Sequence, residues 1–273
     1  MRHRLRVNDL TLSVQDEGQG RPVLLLHGFP DSADLWRHQI PRLTQAGFRV
    51  IAPDLRGFGQ SDAPADVAAY KFRSVLADVL GVLDILSIDR IDIIGHDFGA
   101  ALAWMAAMVA PHRVTSIAAL SVGHPGAFAD INLEQMQRSW YMFLLQSPSA
   151  ERWLRRDNWL RLRTWLASSP DLNRYLDAFA APGRFEAALS WYRANAVMPA
   201  SGPSAYPEVS VPVLGVWGAS DAMLAEEQMT GSATFVSGSW RYEQVPEAGH
   251  WLPLDCPNRL TELLLDFLAA SAV

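Results

Sequence analysis

Residues 91–109, IDIIGHDFGAALAWMAAMV, form the stretch that decides the fold. The run Ile91–Ile94 is rich in β-branched residues and predicts a short buried strand. Phe98–Val109 is apolar all round and ends before Pro111, which predicts a central core helix too short to span a membrane. Glycines at 95 and 99 allow the backbones of strand and helix to approach closely. The stretch therefore predicts one strand–turn–helix unit with Asp97 at the apex of the turn.

Further strand and helix patterns lie on both sides of this unit. A hairpin is predicted from Arg2–Val7 and Thr11–Gln15 around Asn8-Asp9. Strands are predicted at Val23–Leu26, Phe48–Ala52, Val114–Ser121, Val213–Trp217 and Trp240–Val245, and helices at Ser32–Gln45, Lys71–Ser87, Leu224–Met229 and Asn258–Leu268. Repeated strand–helix alternation with short connections is typical of an α/β fold. We expect a mostly parallel central sheet with helices on both faces.

Residues 124–206 break the alternation. This segment contains five of the ten tryptophans and no convincing strand pattern, which predicts an inserted helical cap. Pro199, Pro203 and Pro207 predict the linker that returns the chain to the core. We therefore expect a core of residues 1–123 and 207–273 and a cap of residues 124–206.

Composition narrows the classes of function. The chain has 273 residues, 49% apolar residues and a formal charge of −6, so it can bury a large core and is not expected to bind nucleic acid. No apolar run reaches the roughly 18 residues of a membrane span, and Met1–Leu10 lacks the apolar region of a secretory signal. The single cysteine, Cys256, excludes an internal disulfide. We expect a globular, cytoplasmic protein without a membrane partner.

The turn at residues 95–99 reads G-H-D-F-G, the frame of the nucleophile elbow G-x-S-x-G with Asp97 in place of serine. A side chain at this apex stands above the sheet at the positive end of a helix dipole, which favours a carboxylate. The alternative is that Asp97 only caps the helix.

The loop after the strand Val23–Leu26 reads H-G-F-P. Gly28 allows the N–H of Phe29 to point into the cleft, where it and the N–H of Phe98 would form a two-donor oxyanion hole. His27 is expected to have a structural role.

A histidine and an acid complete the predicted site. His250 follows the nucleophile in the chain order expected for this fold, and Asp221 comes directly after the strand Val213–Trp217. A carboxylate here would hold the imidazole in one tautomer. Glu247 and Asp255 flank the histidine and are the alternative partners.

Four segments together carry a family resemblance: HGFPDSADLWRHQIPRL at residues 27–43, APDLRGFGQSDAP at 52–64, GHDFGA at 95–100 and GHW at 249–251. The chain resembles an α/β-hydrolase, and within that superfamily the epoxide hydrolases and haloalkane dehalogenases that use aspartate as nucleophile. The resemblance covers nearly the whole chain.

An aspartate nucleophile favours attack on a saturated carbon, because attack on an acyl carbon would give an anhydride. The ester so formed would be hydrolysed by water that His250 deprotonates. An epoxide oxygen also needs a proton donor, and SWYMFLLQSP at residues 139–148 and LSWYRAN at 189–195 resemble the segments of epoxide hydrolases that supply two ring-opening tyrosines. The resemblance implies this role for Tyr141 and Tyr192. The alternative is that both are cap residues with hydrated hydroxyls.

We therefore predict an epoxide hydrolase that forms a vicinal diol through an aspartyl ester. The partners are a small apolar epoxide and water, the substrate pocket includes Phe29 and Pro30, and a homodimer is a possible assembly. No cofactor and no metal are implied. Phe98 stands where both families usually carry tryptophan, which weakens the alternative of a haloalkane dehalogenase. A second alternative is a non-catalytic binding protein with the same fold.

Overall fold

The computed structural model describes residues 1–129, 132–195 and 205–271. Its sheet has eight strands: β1 (Arg2–Val7), β2 (Leu10–Glu17), β3 (Arg21–Leu26), β4 (Phe48–Pro53), β5 (Ile91–His96), β6 (Val114–Leu120), β7 (Val213–Gly218) and β8 (Trp240–Val245). The strand order is β1-β2-β4-β3-β5-β6-β7-β8. Strands β1 and β2 pair antiparallel, β2 pairs antiparallel with β4, and all remaining pairs are parallel. The prediction of a mostly parallel α/β sheet is confirmed.

Twelve α-helices lie within the described ranges. They are α1 (Gln39–Gln45), α2 (Phe72–Ile85), α3 (Phe98–Val109), α4 (Pro125–Phe128), α5 (Leu133–Arg138), α6 (Trp140–Gln146), α7 (Ala150–Trp165), α8 (Leu172–Ala180), α9 (Arg184–Ala194), α10 (Glu226–Thr230), α11 (Leu252–Asp255) and α12 (Pro257–Ala270). Helix α3 has the predicted bounds, and its apolar surface packs on β5 and β6. All six residues of β5 and of β7 are buried, as expected for strands covered by helices on both faces.

The predicted single helix across Ser32–Gln45 is wrong. A 3₁₀ turn covers Ala33–Trp36, and α1 begins only at Gln39. A continuous α-helix would need the N–H of residue 41 to donate to the carbonyl of Arg37, and Pro41 has no N–H. The 3₁₀ turn therefore ends at Trp36, and a separate α-helix begins at Gln39.

Residues 124–206, called the cap segment below, contribute α4 to α9 and no strand among their described residues. Hydrogen bonds join this segment to the core: Trp191 Nε1 donates to the Arg56 carbonyl at 3.1 Å, and Arg37 pairs with Asp171 at 2.7 and 2.9 Å. The division into core and cap at residues 123/124 and 206/207 stays a prediction. The predicted linker prolines Pro199 and Pro203 lie outside the described residues.

No helix in the described parts of the chain is long and apolar enough to cross a bilayer.

Candidate active site

The turn between β5 and α3 places Asp97 above the carboxyl edge of the sheet. Asp97 has φ 53° and ψ −120°, a strained conformation for a residue other than glycine. The turn packs closely against the end of β3. A Cβ atom at Gly99 would lie only 2.0 Å from the Leu26 carbonyl oxygen, so this position requires glycine. Although Asp97 occupies the N-cap position of α3, its carboxylate makes no capping hydrogen bond. The alternative that Asp97 only caps the helix is therefore not what the structure has.

The loop after β3 surrounds one oxygen of this carboxylate. Phe29 N–H donates to Asp97 Oδ1 at 2.8 Å, and the Phe98 N–H also stabilises the charged carboxylate. A Cβ atom at Gly28 would lie 2.3 Å from the same Oδ1 atom, so only glycine leaves room for this approach. The structure therefore places both predicted oxyanion-hole donors on Asp97. His27 accepts the N–H of Leu55 through Nε2 at 2.9 Å, which fits its expected structural role.

His250 lies between two carboxylates. Its Nδ1 atom is 2.9 Å from Asp221 Oδ2, and its Nε2 atom is 3.8 Å from Asp97 Oδ2. The other oxygen of Asp221 accepts the N–H groups of Met223 and Leu224 at 2.7 and 3.0 Å. The structure therefore pairs Asp221 with the imidazole, as predicted from its place after β7.

Asp255, one of the alternative acids, accepts the N–H of Gly249 at 2.9 Å instead.

Burial and neighbouring charges shift the pKa values of Asp97 and His250. Burial raises the pKa of Asp97, while the positive charge of His250 and the N–H groups of Phe29 and Phe98 oppose that rise. Burial lowers the pKa of His250, but the charge and hydrogen bond of Asp221, with further contributions from Asp97 and Asp31, raise it to about 9. At neutral pH this raised pKa favours the imidazolium form of His250.

His96 is a residue of the site that the sequence reasoning missed. Its Nε2 atom lies 2.9 Å from the main-chain carbonyl oxygen of His250, and Ser121 Oγ donates to the same oxygen at 3.0 Å. Because a carbonyl only accepts, Nε2 of His96 carries the hydrogen. The sequence could have indicated that His96 belongs to the site, because this residue lies between Gly95 and Asp97 in the elbow motif. The two donors hold the backbone of His250 next to the nucleophile turn.

The two predicted tyrosines come from different helices of the cap segment, and the charge of Asp97 acts on both. Tyr141 on α6 and Tyr192 on α9 are 3% and 5% exposed, and their ring centroids lie 6.2 Å apart. Burial and the charge of Asp97 raise the pKa of both phenols well above the ordinary value. Neither hydroxyl hydrogen-bonds to another described residue. Both phenols are therefore protonated and free to donate.

A cavity of about 810 Å³ lies beside Asp97 and is lined by residues of both the core and the cap segment. Its lining includes Asp97, Phe98, Tyr192 and apolar side chains such as Met105, Phe128 and Met142. The ring of Phe98 stacks on Trp191 with centroids 5.0 Å apart and contacts Tyr192 at the same distance. The arrangement suits an apolar small molecule with its reactive group at Asp97.

Phe29 and Pro30, the two residues predicted for the substrate pocket, are not among the residues that line this cavity. Phe29 is buried, and its ring packs edge-on against Tyr192 at 5.3 Å. Pro30 lines a second cavity of about 280 Å³, together with Asp31 and Tyr175. Tyr175 donates to Asp31 at 2.9 Å, and burial raises the pKa of Asp31 to about 7.

The parallel sheet, the strained elbow and the His250–Asp221 pair define an α/β-hydrolase with aspartate at the elbow. A family model described as the alpha/beta hydrolase fold matches residues 21–257. Epoxide hydrolase A of Mycobacterium tuberculosis is 33% identical over 96% of this chain and 95% of its own length. An epoxide hydrolase of Caballeronia sordidicola is 30% identical over 97% of this chain and 92% of its own length.

A mutant of an epoxide hydrolase from Bacillus megaterium has a similar structure, with a TM-score of 0.89, 26% identity, and coverage of 98% of this chain and 100% of that chain. The chain belongs to the α/β-hydrolase family and, within it, to the family of these epoxide hydrolases. The predicted family membership is confirmed.

Proposed function

We propose that this protein hydrolyses an apolar epoxide to a vicinal diol through an ester formed at Asp97. The observation that carries the proposal is that Tyr141 and Tyr192 are buried and close enough to the strained-elbow carboxylate of Asp97 for its charge to raise the pKa of both phenols. A carboxylate attacks a strained saturated carbon, and the departing alkoxide requires the proton that a phenol supplies. The epoxide hydrolase names of the relatives support the same reaction.

In the first step, Asp97 Oδ2 forms a bond to one ring carbon, and the bond between that carbon and the epoxide oxygen breaks. One phenol donates its proton to the departing oxygen, and the other donates a hydrogen bond to it. The product is a hydroxyalkyl ester of Asp97. The phenolate then recovers a proton from the His250 imidazolium, because the neutral ester no longer stabilises the positive charge.

In the second step, neutral His250 takes a proton from water, and the water oxygen attacks the ester carbonyl carbon. Oδ1 becomes the oxyanion, which the N–H of Phe29 binds, and the N–H of Phe98 further stabilises negative charge on this carboxyl group. Collapse breaks the bond between this carbon and the diol oxygen, which leaves with the proton of the added hydroxyl. Asp97 is again a carboxylate, His250 an imidazolium and both tyrosines phenols, so one water has been consumed.

A single turnover in ¹⁸O-labelled water tests this sequence, with enzyme in excess over styrene oxide as an aryl epoxide probe. The first diol should contain no solvent oxygen, because its new oxygen comes from Asp97. Enzyme recovered after that turnover should carry the label in the peptide that contains Asp97. Label in the first diol would indicate direct attack by water and would refute the ester mechanism.

Two control measurements address the alternatives. Release of bromide from 1-bromobutane at a rate comparable to diol formation would indicate a dehalogenase. The Trp191 indole N–H, which such an enzyme could use to bind halide, already donates to the Arg56 carbonyl. Absence of diol formation from a panel of aryl and alkyl epoxides would favour a binding protein.

A further inference from the structure

The loop that carries Asp221 is held by the cap segment. Residues 221–225, called the acid loop below, follow β7 and contain the two N–H groups that bind Asp221 Oδ1. Helix α5 lies against this loop. The N–H groups of Met223 and Leu224 orient the Asp221 carboxylate. Other main-chain groups of the same loop bind side chains of α5.

Gln135 on α5 is 2% exposed and binds the acid loop at two points. Its Oε1 atom accepts the N–H of Ala225 at 2.7 Å, and its Nε2 atom donates to the Met223 carbonyl at 3.2 Å. Nε2 also donates to Ser139 Oγ at 2.8 Å. A buried amide with both ends paired fixes the two groups it joins, because breaking either bond leaves a buried polar atom unsatisfied.

Arg138, one turn further along α5, binds the same loop. Its guanidinium donates to the carbonyl oxygens of Asp221 and, at 3.3 Å, of Leu224. The guanidinium is held in turn by Glu134 at 2.6 and 3.0 Å. Together the two side chains bind main-chain atoms of four of the five residues in the acid loop.

We infer that Gln135 and Arg138 are positioning residues for Asp221 and set the rate of the hydrolytic step. They hold the acid loop so that Met223 and Leu224 N–H groups turn Asp221 Oδ2 towards His250 Nδ1. This inference rests on the proposed function, since it concerns the second of the two chemical steps.

The same cap region also carries a ring-opening phenol. Ser139, which binds Gln135, directly precedes α6, and Tyr141 is the second residue of that helix. One short stretch of the cap segment thus reaches the epoxide oxygen with Tyr141 and the acid loop with Gln135 and Arg138. Docking of the cap segment therefore positions groups for both steps of the reaction.

The variant Gln135→Leu tests the inference, because leucine has a similar size and no hydrogen-bonding group. With styrene oxide, ester formation should stay within about twofold of wild type, while ester hydrolysis should slow roughly 10- to 100-fold, a part of the roughly 100- to 10,000-fold that general base catalysis contributes. The ester should accumulate as a mass adduct on the peptide containing Asp97. The pH profile of hydrolysis should move to lower pH, because a displaced Asp221 raises the pKa of His250 less.

Gln39→Leu is the matched control. Gln39 is also fully buried and donates to the Pro253 carbonyl at 3.1 Å, away from the acid loop. Loss of this amide should lower stability without changing the ratio of the two rates. Arg138→Met removes the hydrogen bonds from the guanidinium to the Asp221 and Leu224 carbonyl groups. Because Arg138 is partly exposed, this variant should fold even if Gln135→Leu folds poorly, and it should slow ester hydrolysis selectively.

Wild-type rates of ester hydrolysis in both variants, or equal slowing of both steps, would overturn the inference. Failure of the proposed function would look different, because wild-type enzyme would then form neither diol nor an adduct at Asp97.

Discussion

Nε2 of His250 lies 3.8 Å from Oδ2 of Asp97, too far for a direct hydrogen bond but close enough for strong interaction between charges. The imidazole is anchored from its other side by Asp221 at 2.9 Å. Formation of an ester would leave this anchor in place and remove the charge of Asp97. The charge of the nucleophile Asp97 therefore influences the pKa of the base His250.

This link predicts a change in the pKa of His250. Asp97→Asn replaces the carboxylate with a neutral group, as ester formation does, so the pKa of His250 should fall below its value of about 9 in the free enzyme. NMR titration of the His250 imidazole in wild type and variant measures the difference. An unchanged or higher pKa in the variant would contradict the proposed role of Asp97 in switching the base on.

Asp221→Asn should affect the second step far more than the first. The variant loses the charge that favours the imidazolium, so ester hydrolysis should slow roughly 100- to 10,000-fold, the usual range for general base catalysis. Ester formation should continue, and intact-protein mass spectrometry should detect the trapped adduct. Asp255→Asn is the control, because Asp255 binds Gly249 N–H and not the imidazole. Comparable trapping in the control would reassign the acid.

The two tyrosines should act on the first step. Tyr141→Phe and Tyr192→Phe should each slow ester formation on the order of 10- to 100-fold, because one phenol remains to donate, and the double variant should lose nearly all ring opening. Rapid-quench measurement of adduct formation with styrene oxide determines the rates. Tyr242→Phe, which removes a hydroxyl bound to Glu226 at 2.7 Å, should leave them unchanged. Full activity of the double variant would refute phenol-assisted ring opening.

Gly28→Ala should disrupt the oxyanion hole. The added Cβ atom would lie 2.3 Å from Asp97 Oδ1, so the loop or the carboxylate must move, and overpacking of this kind costs about 1–3 kcal/mol in the free energy of unfolding. Both chemical steps should slow, since both use the Asp97 carboxyl group. Urea denaturation and the two rate measurements test this together.

Gly231→Ala is the control for that substitution, because its Cβ atom would meet only Ala127 at 3.6 Å, an ordinary contact. It should fold and react like wild type. Normal rates in Gly28→Ala would indicate that the Phe29 N–H does not contribute to catalysis.

Local patterns in the sequence were sufficient for the elements nearest the chemistry. The apolar run 98–109 defined α3 to the residue, because a mostly buried helix needs no strict amphipathic periodicity and ends where Pro111 prevents its continuation. The glycines of the elbow and of H-G-F-P indicated close backbone approach, and the structure has close contacts at Gly99 and Gly28. By contrast, Pro41 interrupted a helix that the apolar stripe of residues 32–45 had suggested.

Only the tertiary structure shows which residues hold the loop of Asp221 in position. Gln135 and Arg138 belong to no motif that indicates this role, and both lie more than 80 residues from the acid loop that they bind. The exclusion of Phe29 from the lining of the cavity at Asp97 likewise depends on the packing of the cap segment against its ring. Short-range patterns determine strands, helices and turns because those depend on neighbouring residues. Contacts between distant segments depend on how the whole chain packs, and that information is absent from any local pattern.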